Sequence, residues 1–290
     1  MTESSVPPDV WLHTSAKRFT EVAATQGAEH IKPLHNYFAL RLVIEGGFLP
    51  DEVSPSPPLS AEYRGGAWFL TFDQSRSSER ELVVLGGLKS KRVDVVVSKD
   101  GVGPVLAISI KGTRNAFRNL VNRAEEAIGD SANLHLMYPG LVYGFAHFLQ
   151  ATRAGTGRFK PNDIALDKNG DVVPAIRAYA NGLEGLAGRR FLRNEYARYE
   201  AVSLALIHPS FTENESPLLV GFPSAESPIK IEKFFPTLYQ TYDLRFPLTY
   251  TDPSLKHLAR VEWSADSPAL EALKRQKNYA KLLGYRTRVS

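Results

Sequence analysis

Residues 92–126, RVDVVVSKDGVGPVLAISIKGTRNAFRNLVNRAEE, constrain the fold more than any other stretch of the chain. Two runs rich in β-branched residues flank the short turn around Asp100 and Gly101, a composition that suits paired strands. Alternation puts Val93, Val95 and Val97 on one face of the first run, with Asp94 and Val96 on the other. In the second run Val105, Ala107, Ser109 and Lys111 share a face, opposite Leu106, Ile108 and Ile110. A hairpin between the runs brings Asp94 beside Ser109 and Lys111. An aspartate and a lysine at the ends of buried strands are costly to keep unpaired. A helix over 115–128 follows at once, with Glu125 and Glu126 near its far end.

The flanking sequence extends this into an α/β pattern. Positions 33–46 read as a helix, with Pro33 in the first turn, Leu34, Phe38 and Leu42 on one face, and Gly46–Gly47 as a stop. Further strands are expected at 66–73, 81–86, 141–149 and 199–208, and a helix at 173–187. The order predicts a mixed central sheet flanked by helices. Residues 1–10 read as a loose tail and 51–60 as a proline- and serine-rich loop. The loop at 153–163 carries Arg153, Arg158 and Lys160. Residues 209–255 show no clear period and are expected to be irregular. A basic helix at 267–284, capped by Ser267, is expected to end the chain. These boundaries divide the chain into an N-terminal tail and helical extension (1–32), a core (33–208) and a C-terminal extension (209–290).

Composition narrows the chemistry. The 290 residues carry a net charge of +4 and no cysteine, which excludes disulfides, thiolate catalysis and cysteine-built zinc sites. The pI of about 9.1 favours a polyanionic partner only mildly. No apolar run approaches the ~20 residues of a membrane span, and MTESSVPPDV has neither a basic start nor an apolar stretch. A soluble cytoplasmic protein, with no membrane partner, is the expectation.

Asp94 is a hard oxygen ligand suited to Mg²⁺, and Lys111 can orient a water or screen a phosphate. One carboxylate is a thin ligand set, so a second acid is expected. Asp94 ending one strand and Lys111 on the next resemble the signature of the PD-(D/E)XK nuclease superfamily, the fold of many restriction endonucleases. The usual acid two positions before the lysine is here Ser109, a departure. The chain is similar in this to a branch of type II restriction enzymes with Ser–any–Lys, in which the following helix supplies the missing glutamate. Glu125, fourteen positions beyond Lys111, fits that displaced acid.

Taking Phe117, Leu120, Val121, Ala124 and Ile128 as the packed face, Glu125 lies roughly 80° from its centre and Glu126 roughly 180°. Glu125 is therefore preferred, with Glu126 as the alternative. Glu45, at the end of the first helix, matches an accessory acid of the same fold, or is a solvated helix end. The resemblance spans about 33–208. It implies a Mg²⁺-dependent endonuclease for double-stranded DNA, with the ion held by Asp94 and Glu125. Lys111 would position the water, and Ser109 would bond Glu125 or a metal-bound water. Arg114, Arg118, Asn119, Asn122 and Arg123 would contact the DNA backbone. A homodimer is the expected way to cut both strands.

Other readings stay open. The hairpin could carry a plain Asp–Lys ion pair. The chain could be a non-catalytic DNA-binding or assembly subunit, or a non-specific DNA or RNA nuclease of a defence system. His147, on an apolar strand, reads as a satisfied core histidine. His30 and His35 are five apart and lack the spacing of a helical metal pair.

Overall fold

The computed structural model describes residues 6–21, 29–115, 117–156, 159–246 and 253–290, without the side chains of Arg118, Pro253 and Ser254. Two helices, α1 (Leu12–Glu21) and α2 (Lys32–Ile44), precede β1 (Val53–Ser54) and the hairpin β2 (Leu59–Arg64)–β3 (Ala67–Phe72). A small ribbon follows, β4 (Leu82–Val84) with β5 (Lys91–Val93). The chain then enters the sheet as β6 (Val95–Lys99) and β7 (Gly103–Thr113). Next come α3 (Leu120–Met137), β8 (Val142–Gln150), α4 (Pro174–Leu186) and β9 (Ala201–Ile207). The last elements are α5 (Ile231–Arg245), α6 (Pro268–Lys274) and α7 (Tyr279–Leu283).

The central sheet has five strands in the order β1-β6-β7-β8-β9. β1, β6 and β7 run antiparallel, whereas β8 and β9 lie parallel to β7, each reached through a helix. Parallel pairing needs such crossovers, and the helices bury both faces of the sheet. Val97, Ile108, Ile110, Ala146 and Phe148 pack on the layer containing α2 and α5. Val96, Ala107, Phe145 and Leu204 pack on α3 and α4. The protein is thus α/β, with a mixed sheet between helical layers. No helix among the described residues is long and apolar enough to cross a membrane.

Several expectations change, among them the helix expected at 115–128, which is α3 over Leu120–Met137, and the loop expected at 51–60, which holds β1 and the start of β2. The run 92–98 is not one strand, because the chain bends at Asp94 between β5 and β6. Val93 consequently packs with Val96, whereas Val95 and Val97 face the opposite layer. Residues 209–255 are not wholly irregular, since they contain α5, whose Pro236 masks a sound period. Phe234, Phe235, Leu238, Tyr239 and Tyr242 form its buried stripe, and tertiary burial outweighs the helix-breaking cost of the proline. The terminal helix is split, with Asn278 at φ 60° before α7, and the Ser267 hydroxyl accepts from the amide of Leu70 instead of capping α6. The described part of the N-terminal tail is anchored: Asp9 is buried and bonded by Arg18 and Asn36.

At the end of the sheet where β8 and β9 begin, Glu200 is fully buried in a charge cluster. Arg189 (2.8 Å) and Arg245 both donate to its Oε1, and the Tyr143 amide donates to Oε2 at 2.6 Å. His135 Nε2 lies 3.5 Å from Oε2. Burial would raise this carboxyl, but His135, Arg245 and the Tyr143 amide outweigh it and hold it below its usual range.

Candidate active site

Val95 pairs with Ile108, so the same register sets Asp94 opposite Ser109. Because β5 leaves to pair with β4, the Ile110 amide on β7 loses its strand partner. The Asp94 carboxylate takes that place: Oδ2 accepts the Ile110 amide at 2.6 Å and the Ser109 hydroxyl at 3.3 Å. Lys111 Nζ lies 3.6 Å from the same oxygen. Three donors therefore converge on Oδ2, and no described residue donates to Oδ1.

The groups that face Asp94 are His35 and Glu81. One potential ligand atom from each of His35, Glu81 and Asp94 lies within 4.8 Å of the others. His35 comes from the first turn of α2, 3% exposed, and Glu81 from the residue before β4. His35 Nδ1 is 3.4 Å from Glu81 Oε1. The hydrogen bond from His35 is the main cause that holds the Glu81 carboxyl below its usual range, against burial and with help from Arg92 and Lys111. The other ring nitrogen, His35 Nε2, is buried with no hydrogen-bond partner among the described residues. Two anionic carboxylates, an imidazole with an unused buried nitrogen and a vacant face on Asp94 suit a divalent cation.

Glu125 does not join this group. α3 buries Leu120, Ala127, Ser131 and Leu134, while Val121 is 66% and Ile128 38% exposed. At 100° per residue Glu125 then points roughly 140° from the packed stripe, and its side chain is exposed. The helix is rolled because it buries polar groups that have partners. Asn133 Oδ1 accepts the Leu88 and Lys89 amides, Ser131 donates to the Arg198 carbonyl, and Asp130 pairs with Lys91 at 2.5 Å.

Glu126 lies on the flank nearer the strands, paired with Arg123 at 2.7 Å. Burial would raise its carboxyl, but Arg123, Lys111 and Lys91 together lower it. Glu45 serves a different place, bonded to Arg41 (2.5 Å) and the Tyr239 hydroxyl (3.2 Å) between α2 and α5. Sequence reasoning overlooked Glu81 because it sits in a polar run before a three-residue strand. His35 carries no signal of its own, because it lies 46 positions before Glu81 and 59 before Asp94.

Beyond Lys111, the end of β7 and the start of α3 enclose a cavity of about 140 Å³ lined by His30, Thr113, Arg114, Asn115, Asn119 and Arg123. Arg114 is braced by Gln150 (3.0 Å) and the Thr20 carbonyl (2.7 Å). Asn119 and Asn122 are exposed, and the side chain of Arg118 lies outside the described residues. His147 is fully buried between the Thr113 hydroxyl (2.9 Å) and the Tyr179 hydroxyl (2.7 Å). Burial, with the charges of Arg123 and Lys111, pushes its pKa down to about 3, so it is a neutral core residue.

No protein-family model, characterised protein or solved structure matches this chain.

Proposed function

We propose that this chain is a metal-dependent phosphodiesterase of restriction-endonuclease type that hydrolyses double-stranded DNA. The observation that carries the reading is the convergence of Asp94, Lys111 and a second carboxylate, Glu81, where two adjacent strands meet the β4–β5 ribbon. That is the acid–acid–lysine set expected of such a centre, with Glu81 in the role that the sequence suggested for Glu125. His35, Glu81 and Asp94 would hold the ion. A bound divalent cation lowers the pKa of a water and offsets charge on the scissile phosphate.

The protein's own groups do the positioning. Asp94 is fixed through Oδ2 by the Ile110 amide and the Ser109 hydroxyl, and no described residue donates to its Oδ1. Lys111, 23% exposed at its side chain, is anchored to Asp94 yet open enough to meet a phosphate oxygen or an attacking water. Ser109 bonds Asp94, a positioning role. Arg114, Asn119 and Arg123 would neutralise and orient the neighbouring backbone, and a two-fold dimer would present two such sites to a duplex.

The test is incubation of supercoiled plasmid and a long linear duplex with metal-loaded protein. Wild type should cut, and Lys111→Ala should cut at least ~100-fold more slowly while binding DNA. Uncut DNA from wild type and variant alike, with intact binding, would mark a non-catalytic subunit instead. Smears in place of discrete fragments would mark cutting without sequence preference.

A further inference from the structure

The ligand set is not the one that Mg²⁺ prefers. Magnesium binds through oxygen, keeps several waters and dehydrates reluctantly. Here one of the three converging groups is an imidazole, almost wholly buried and fixed in the first turn of α2.

The protonation alternatives of that ring are instructive. If Nδ1 carries the proton and donates to Glu81, Nε2 holds a buried lone pair that no described group meets. If Nε2 carries the proton, it is a buried donor without an acceptor, and the Nδ1 lone pair faces a carboxylate at 3.4 Å. Each neutral tautomer leaves a polar atom unsatisfied, a state that costs about 1–3 kcal/mol. A cation bound at Nε2 would take up that lone pair while Nδ1–H stays directed at Glu81, so both ring nitrogens would have partners.

The cations nearby do not supply that role. Lys111 sits on Asp94 Oδ2 at 3.6 Å, and Arg92 reaches Glu81 Oε2 only at 4.0 Å with its side chain 72% exposed.

We propose that His35 is a metal ligand and that the His35–Glu81–Asp94 centre selects a first-row transition ion of the manganese class over Mg²⁺. A nitrogen donor strengthens binding along the series from Mn²⁺ towards Zn²⁺, whereas Mg²⁺ gains little from it. The two carboxylates keep the site hard enough for Mn²⁺, which accepts mixed oxygen and nitrogen ligation. The inference rests on the metal-centre reading above and adds its selectivity.

Chelator-treated full-length protein is titrated with Mn²⁺, and binding is read from the loss of the free-ion paramagnetic resonance signal, with Mg²⁺ as competitor. Wild type should bind Mn²⁺ at least ~10-fold more tightly than Mg²⁺. In His35→Gln and His35→Ala that ratio should collapse to within ~3-fold, with circular dichroism reporting an intact fold.

Equal affinities in wild type, or a preference that survives both substitutions, would overturn the proposal. Should neither variant fold, pulsed resonance of Mn²⁺ bound to wild type gives the answer: a directly bonded nitrogen coupling is expected, and its absence overturns the proposal. Failure to bind either ion would bring down the metal-centre reading itself, which separates the two failures.

Discussion

Glu81 offers the sharpest test of where the acidic half of the site lies. Glu81→Gln keeps the side-chain shape and an acceptor for His35 while removing one charge. With ligand atoms within 4.8 Å, the charges of Glu81 and Asp94 repel by about 3 kcal/mol at an effective dielectric of about 20. A shared cation must reverse at least that energy, and loss of one carboxylate forfeits an attraction of the same order. At ~1.4 kcal/mol per decade, cutting should fall roughly 100-fold or more. Glu125→Gln, on the exposed face of α3, should stay within about two-fold of wild type.

Initial rates of plasmid nicking under single-turnover conditions measure both. The double variant Glu81→Gln with Asp94→Asn should be little worse than the poorer single, because groups sharing one ion act as a unit. An active Glu81→Gln beside a dead Glu125→Gln would refute this geometry and restore the displaced helical acid.

Two further outcomes concern the scaffold. Glu200→Gln leaves Arg189 and Arg245 buried without their shared counter-charge and should cost about 3–5 kcal/mol in urea unfolding. A loss below about 1 kcal/mol would show that water reaches the cluster. His147 has its pKa lowered from 6.5 to about 3 in the folded chain, so below pH 6.5 the unfolded chain takes up a proton that the folded one refuses. Its stability contribution is therefore full above pH 6.5 and falls towards pH 3, by up to ~1.4 kcal/mol per pH unit. His147→Gln should flatten the stability curve over that window, and identical slopes in the two proteins would contradict a neutral buried imidazole.

What could be read from the sequence follows from what periodicity encodes. β7, β8, β9, α2 and α4 have apolar patterns that match their burial, and the alternation along 106–111 places Ser109 and Lys111 together on β7. Val105, at the register shift opposite Val97 and Ser98, departs from the expected alternation and packs with Leu106, not with Ala107. Periodicity fails where burial is not apolar. α3 hides Asp130, Ser131, Asn133 and His135 beside Leu120, Ala127 and Leu134 and exposes Val121 and Ile128, so apolar pattern alone rotates the packed face away from its true position. It fails again at Asp94, where the chain changes sheets without a turn residue to announce the bend. The clustering of His35, Glu81 and Asp94 was illegible for a plainer reason. His35, Glu81 and Asp94 lie on three different elements, and no local spacing rule joins residues that meet only through the tertiary fold.

The same geometry accounts for the serine at position 109. Ser109 is 2% exposed and shares its sheet face with Ala107, in register with Asp94. A carboxylate there would be buried directly against Asp94, and the nearest cation, Lys111, already sits on the oxygen that Ser109 bonds. Two like charges in that position would drive one of them to protonate. Glu81 avoids the problem by approaching from the ribbon, at the rim of the sheet, where its side chain is 18% exposed and lies 3.4 Å from His35 Nδ1. The bend at Asp94 is what makes this possible, since it carries β5 out of the sheet and brings β4 alongside. Had the chain continued straight, the Ile110 amide would have kept its strand partner and Asp94 would have lost its shortest hydrogen bond. On the proposed reading, the hydroxyl at 109 and the acid at 81 are one structural solution: the charge is moved to the rim, and a small donor holds Asp94 in its place.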